Sequence, residues 1–133
     1  MAGLTRIARR YGSARLREAC RGIRAQSEAA MLAAIRAVPD GVYAFEDFVD
    51  DDGIDRDVKL KIAVRLTVKD DLIEIDFAGS SLQAAGPVNC TLNMTQSGVF
   101  CGVLMAIGSD IPANAGCYVP VRITAPELSL IHI

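Results

Sequence analysis

The chain has 133 residues, a net charge of −2, 51% apolar residues and 23% charged residues. That length suits one folding unit, the charged fraction is that of an ordinary globular protein, and no apolar run approaches the ~18 residues needed to span a bilayer. A near-neutral chain has no overall basic field for nucleic acid, so a disordered tail, a membrane span and a polyanion binder are excluded as classes.

The charge is unevenly divided. Residues 1–41 hold eight arginines against three acids, a net +5, whereas residues 42–133 hold six basic and thirteen acidic groups, a net −7. The arginines lie between apolar residues at helical spacing, with no apolar core and small-residue cleavage site after them. They therefore read as a helix surface facing water or a subunit, not as a targeting peptide.

In chain order, Leu4, Ile7, Ala8 and Tyr11 predict a first helix, closed by Gly12 in a left-handed cap. Ser13 is the expected N-cap of a longer second helix. Its apolar stripe is read as Leu16, Ala19, Cys20, Ile23, Ala30, Ala34 and Val38, and Pro39 ends it. From residue 42 the period becomes two, and 42–48 is expected to be extended. Asp50-Asp51-Asp52-Gly53 breaks the pattern as an exposed acidic turn, because its spacing does not match a calcium loop.

Val58, Leu60, Ile62, Val64, Leu66 and Val68 alternate with polar or small residues, the mark of a strand with one wet face. Asp70-Asp71 turns the chain back into Ile73, Ile75 and Phe77. Lys59, Lys61 and Arg65 are expected to pair with Glu74 and Asp76 across that hairpin. A loop occupies 79–91 and a third helix 93–107, with Val99, Phe100, Val103, Leu104 and Ile107 on its apolar face. Gly98 and Gly102, four apart, allow a close backbone approach to a neighbour, Gly108 is a good C-cap, and Ser109-Asp110-Ile111-Pro112 leaves the helix. A short last strand, 118–124, contains Pro120 and is expected to be irregular or at an edge. The expected fold class is α+β: N-terminal helices, an antiparallel β-hairpin layer, one core helix and an edge strand.

Chemistry-bearing residues are few. Cys20, Cys90, Cys101 and Cys117 include no close pair, so reduced and mostly buried thiols are expected, without a zinc or redox site. His132 alone cannot build a triad. Asp76 precedes the turn Gly79-Ser80-Ser81, whose amides are of the kind that cradle an anion. There is no phosphate-loop motif and no upstream histidine to activate a serine. Asn89 and Asn114 each carry one donor end and one acceptor end beside Gly or Pro. They suit a carbonyl or amide substrate, or equally the capping of a turn.

Three separated segments resemble one family. Pro39-Asp40-Gly41, Tyr43, Phe45-Glu46-Asp47 and Asp50-Asp51-Asp52-Gly53 form the first. Asp76-Phe77-Ala78-Gly79-Ser80-Ser81 with Gly86-Pro87-Val88-Asn89 forms the second. Asp110-Ile111-Pro112-Ala113-Asn114-Ala115-Gly116-Cys117 with Pro120-Val121 forms the third. In this order they resemble the hydantoinase B/oxoprolinase family, which includes 5-oxoprolinase, N-methylhydantoinase and the ketone carboxylases. Ala78, Leu82 and Ala85 depart from the family's usual Thr, Pro and Arg.

The resemblance implies an internal fragment of the B-type component of an ATP-dependent enzyme that opens a cyclic amide such as 5-oxoproline or a hydantoin. Residues 1–127 are then part of that domain, 1–38 helical and 39–127 β-rich with one helix. Residues 128–133 form an atypical tail of foreign origin. ATP with Mg²⁺ is implied to be handled by a partner A-type subunit or domain, with no metal or cofactor held by this chain. The implied location is cytoplasmic, with no nucleic-acid or membrane partner and no activity for the fragment alone. Asp76, Asn89 and Asn114 are the expected catalytic positions, with Gly79, Ser80 and Gly116 beside the substrate. A ketone carboxylase subunit is one alternative. The other is a non-catalytic assembly segment that docks an A-type subunit.

Overall fold

The computed structural model describes residues 2–108 and 110–133. Three helices and four strands follow one another: α1 (Ala2–Tyr11), α2 (Ser13–Arg36), β1 (Gly41–Val49), β2 (Leu60–Lys69), β3 (Leu72–Asp76), α3 (Leu92–Ile107) and β4 (Val121–Thr124). The strands form one sheet in the order β1-β2-β3-β4. β1, β2 and β3 are successively antiparallel, and β4 joins β3 in parallel. The fold is α+β, as expected. The hairpin is widened by β1 on one side and by a parallel edge strand on the other.

Local chemistry explains most boundaries. Gly12 has a φ of 84°, and its amide closes α1 on the Ala8 carbonyl. The N-cap of α2 is Gly12 itself; Ser13 is already helical and makes no side-chain cap. Asp70 turns the β2–β3 hairpin at a φ of 56°, and its amide donates to the Asp40 carboxylate. Gly108 caps α3 on the Leu104 carbonyl. Ser109, expected in the exit from α3, lies outside the described residues. Pro120 precedes β4, which is an edge strand.

The core lies between one face of the sheet and the helices. Met31 and Ile35 of α2 pack with Leu60, Val68, Ile73, Ile75, Phe77, Val103, Cys117, Val121, Leu130 and Ile131. The expected α2 stripe is therefore corrected. Its buried row is Ser27, Met31 and Ile35, at i, i+4 and i+8, while Ala19, Cys20 and Ile23 are exposed. The alanine-rich sequence offers little apolar contrast, so the row that reaches the sheet lies one residue away from the expected one. Only Cys117 of the four free thiols is buried; Cys20 and Cys101 are exposed and Cys90 is intermediate. A Cβ on Gly98 or Gly102 would meet nothing within 4 Å, so no close neighbour uses them.

The charges of the wet face are also paired differently from expectation. Lys61 bonds Glu46 of β1 at 3.2 Å, and Glu74 bonds Arg122 of β4 at 3.3 Å. β3 faces only Arg65–Lys69 of β2, so Lys61 lies beyond its end and turns to the other neighbour.

The segment 128–133 is built into the body. The Leu130 amide donates to the Ser81 carbonyl at 2.9 Å, the Cys90 amide to the Leu130 carbonyl at 2.8 Å, and the Thr95 hydroxyl to the Ile131 carbonyl at 2.7 Å. Leu130 and Ile131 are buried.

Candidate functional site

The residues singled out in the sequence fall on three loops around the sheet. At the end of β3, Oδ1 of Asp76 accepts from the Ala78 amide at 3.1 Å and from the Thr124 hydroxyl at 2.9 Å. These two bonds hold the chain exit of β3 against β4. Among the described residues, Oδ2 of this carboxylate makes no hydrogen bond.

Beyond Asp76 the chain turns at Gly79, with a φ of 96°, and β2 loses its partner strand. Two hydroxyls replace it. Ser80 Oγ accepts from the Ala63 amide at 3.0 Å and donates to the Ala63 carbonyl at 3.1 Å. Ser81 Oγ accepts from the Lys61 amide at 2.8 Å. An unpaired backbone group in this half-buried position is costly, so the serines complete the ladder with side chains. The turn amides are also engaged: Ser80 donates to the Phe77 carbonyl and Ser81 to the Lys61 carbonyl. Little of this turn is left free to cradle an anion.

Asn89 closes the next loop. Its Oδ1 accepts from the Ala84 amide at 2.8 Å, and its Nδ2 donates to the Ala84 carbonyl at 2.8 Å and the Gly86 carbonyl at 3.0 Å. Both amide protons are thereby used. The loop is pressed against 51–55. A Cβ on Gly86 would overlap the Asp52 carbonyl, so only glycine permits this approach. Asp52 is buried, which corrects the exposed acidic turn expected there. Its Oδ1 accepts from the Ile54 amide at 2.8 Å and the Asp55 amide at 2.7 Å. The bond from Asp55, then that from Ile54, holds this carboxyl below its ordinary value.

Asn114 ties the third loop to α2. Its Nδ2 donates to Ser27 Oγ at 2.6 Å and to the Pro112 carbonyl at 3.2 Å, and its Oδ1 accepts from the Gly116 amide at 2.8 Å. A Cβ on Gly116 would overlap the Arg24 carbonyl oxygen. Cys117, buried beside it, donates its thiol to the Asn114 carbonyl at 3.0 Å. Tyr118 stacks on Phe100 with ring centroids 4.1 Å apart, and burial pushes its phenol above the ordinary value.

None of these bonds joins two of Asp76, Asn89 and Asn114. Asp76 alone borders a polar depression, of about 320 Å³, with Arg65, Thr67, Glu74, Ile75, Arg122 and Thr124. Arg65 and Arg122 are not distinguished in the sequence because their spacing is that of any wet strand face. Ser27 is not distinguished because a serine in an alanine-rich helix carries no pattern. Among the described residues, no group of three or more His, Cys, Asp or Glu is placed to hold a metal ion. No helix among them is long and apolar enough to cross a membrane.

The family model described as hydantoinase B/oxoprolinase matches residues 1–132. The chain belongs to the hydantoinase B/oxoprolinase family. It is 29% identical to a protein of Pseudomonas sp. (strain NS671) named as the B-type subunit of a D-/L-hydantoinase, over 93% of this chain and 23% of that protein. It is 33% identical to the 5-oxoprolinase of Saccharomyces cerevisiae, over 67% of this chain and 6% of that one. The fold is similar to that of the ATP-dependent caprolactamase from Pseudomonas jessenii, with a TM-score of 0.86 and 23% identity over 97% of this chain and 22% of that one. The chain thus spans less than a quarter of the relatives it matches, as a fragment of this family's larger proteins does. The family model also runs through most of 128–133, the segment whose departure from the motif suggested a foreign tail.

Proposed function

We propose that this chain is a segment of the B-type component of an ATP-dependent hydrolase that opens a cyclic amide, 5-oxoproline or a hydantoin. The observation that carries the reading is the family match over residues 1–132. Two of the relatives matched in sequence are named as a hydantoinase component and a 5-oxoprolinase, which favours ring opening over ketone carboxylation.

An unactivated amide carbonyl is a poor electrophile, so coupling to ATP lowers the barrier to attack by water. In this reading an A-type partner handles ATP with Mg²⁺ in the cytoplasm and activates the carbonyl oxygen. The B-type chain holds the ring for hydrolysis. Asp76 is the residue assigned to substrate, since Oδ2 is not used by its two bonds and the depression beside it carries Arg65 and Arg122. Gly79 and Ser80 shape its turn. Asn89, Asn114 and Gly116 set the two neighbouring loops.

The test is a longer chain carrying this segment, produced with its A-type partner and supplied with 5-oxoproline, hydantoin or acetone plus bicarbonate. The expected result is ADP release coupled to ring opening, with Asp76→Asn lowering kcat/KM by about 100-fold. ADP release that requires the ketone contradicts the hydrolase reading. Unchanged turnover in Asp76→Asn removes that residue from the site.

A further inference from the structure

Two surfaces remain when the core and the loops are accounted for, and they are opposite in charge. The first is the helical arm formed by α1 and the first half of α2. Residues 2–24 hold seven arginines against Glu18, a net +6. Along this arm Leu4, Ile7, Tyr11 and Ile23 are all more than 40% exposed. At the elbow, Ile7, Tyr11, Leu16 and Ala19 line an apolar cleft rimmed by Arg15.

The second surface is β1 with the loop that follows it. Residues 41–57 hold seven carboxylates against Arg56; with Asp52 buried and Glu46 paired to Lys61, Asp47, Asp50, Asp51, Asp55 and Asp57 remain to make this surface negative. Val42, Tyr43, Phe45 and Phe48 are exposed on it, Phe45 by 66%. β1 is an edge strand of nine residues, a form that proteins ordinarily cover or shorten. Phe45 and Asp47 border an open apolar groove of about 530 Å³, floored by Ile62, Val64 and Leu66 and walled by Gly98 and Gly102 of α3. This is where the two helical glycines leave room. The ion pairs among the described residues are Arg36–Asp71, Lys61–Glu46 and Arg122–Glu74, and none joins the two surfaces.

We propose that the arm of one copy docks on the β1 surface of a second copy, apolar at the centre and arginine to carboxylate at the rim. The choice of a second copy rests on charge complementarity. The two surfaces carry opposite charge on the same chain, each around exposed apolar side chains, and no ion pair among the described residues joins them within one copy. Opposite potentials of this size steer encounter and fix orientation, and the apolar centre supplies the burial. Every copy offers both halves, so a mutual exchange closes on a two-fold axis.

Sedimentation velocity of the purified chain at about 50 mM and about 500 mM salt tests this, because the Debye length shrinks over that range. The expected result is a dimer at low salt and a monomer at high salt. Two variants sharpen it: an arm variant, Arg9→Glu with Arg17→Glu and Arg21→Glu, and a strand variant, Asp47→Lys with Asp50→Lys and Asp57→Lys. Each alone should be monomeric at low salt with unchanged circular dichroism. Their equimolar mixture should recover the dimer. A monomeric wild type at low salt overturns the proposal. So does association that survives in the arm variant or at high salt, or a mixture that stays monomeric.

Discussion

α2 is one helix in two environments. Its second half presents Ser27, Met31 and Ile35 to the body of the fold, all within 1% of complete burial. Its first half carries Leu16, Cys20 and Ile23 at equally helical spacing, yet Cys20 and Ile23 are exposed and Leu16 is only half-buried. Helix propensity does not distinguish the halves: the first is rich in arginine and the second in alanine, and both residue types favour helix anywhere. What separates them is a neighbour. Gly116 brings its loop against the Arg24 backbone, and Asn114 bonds Ser27, so the body begins one turn before Met31. Periodicity thus locates a surface that can be buried. It does not show whether the same chain supplies the cover.

Substitutions on the two sides of that boundary should differ sharply. Gly116→Ala is expected to be the most damaging, because the new methyl overlaps a backbone carbonyl that cannot rotate away. Its cost should exceed the upper end of ordinary overpacking, about 3 kcal/mol, and show as loss of a cooperative urea transition. Met31→Ala opens a cavity in a fully buried site and should cost about 3 kcal/mol in urea unfolding. Ile23→Ala, two turns earlier, should change stability of the monomer by less than about 0.5 kcal/mol. Equal effects at Met31 and Ile23 would erase the distinction between arm and body.

A smaller effect belongs to the acidic loop. The folded state holds the Asp52 carboxyl below its ordinary 3.8, so its contribution is complete above that value and is lost as the pH falls through the lower folded value. Asp52→Asn should therefore flatten the acid side of the stability profile below about pH 5, read as urea midpoints at successive pH values. An unchanged acid slope would show that these backbone bonds do not favour the charged form.

The β-hairpin, α3 and the edge position of β4 were legible because strict alternation, an apolar helical face and Pro120 each have one structural meaning. The buried row of α2 was not, since Ala30 and Met31 compete for the same face in an alanine-rich helix. The motif residues were legible as important and ambiguous as to role. Asn89 and Asn114 spend their amide protons on backbone carbonyls and on Ser27, an economy that depends on loops brought together by Gly86 and Gly116. Ser80 likewise substitutes for a missing strand. Such uses follow from the ends of β3 and α2, which a linear pattern does not place. Asp76 retains an unengaged oxygen, and the arginines beside it were hidden in the alternation of a wet strand face.

The division of α2 is tested most directly by amide hydrogen exchange along its length at high salt, where the chain is expected to be monomeric. Residues 27–36 should exchange with the sheet strands β2 and β3 near the global unfolding rate, while residues 13–23 should exchange at the rate of an exposed, fraying helix. Uniform protection from Ser13 to Arg36 under those conditions would contradict the account, because the arm would then be held by its own chain.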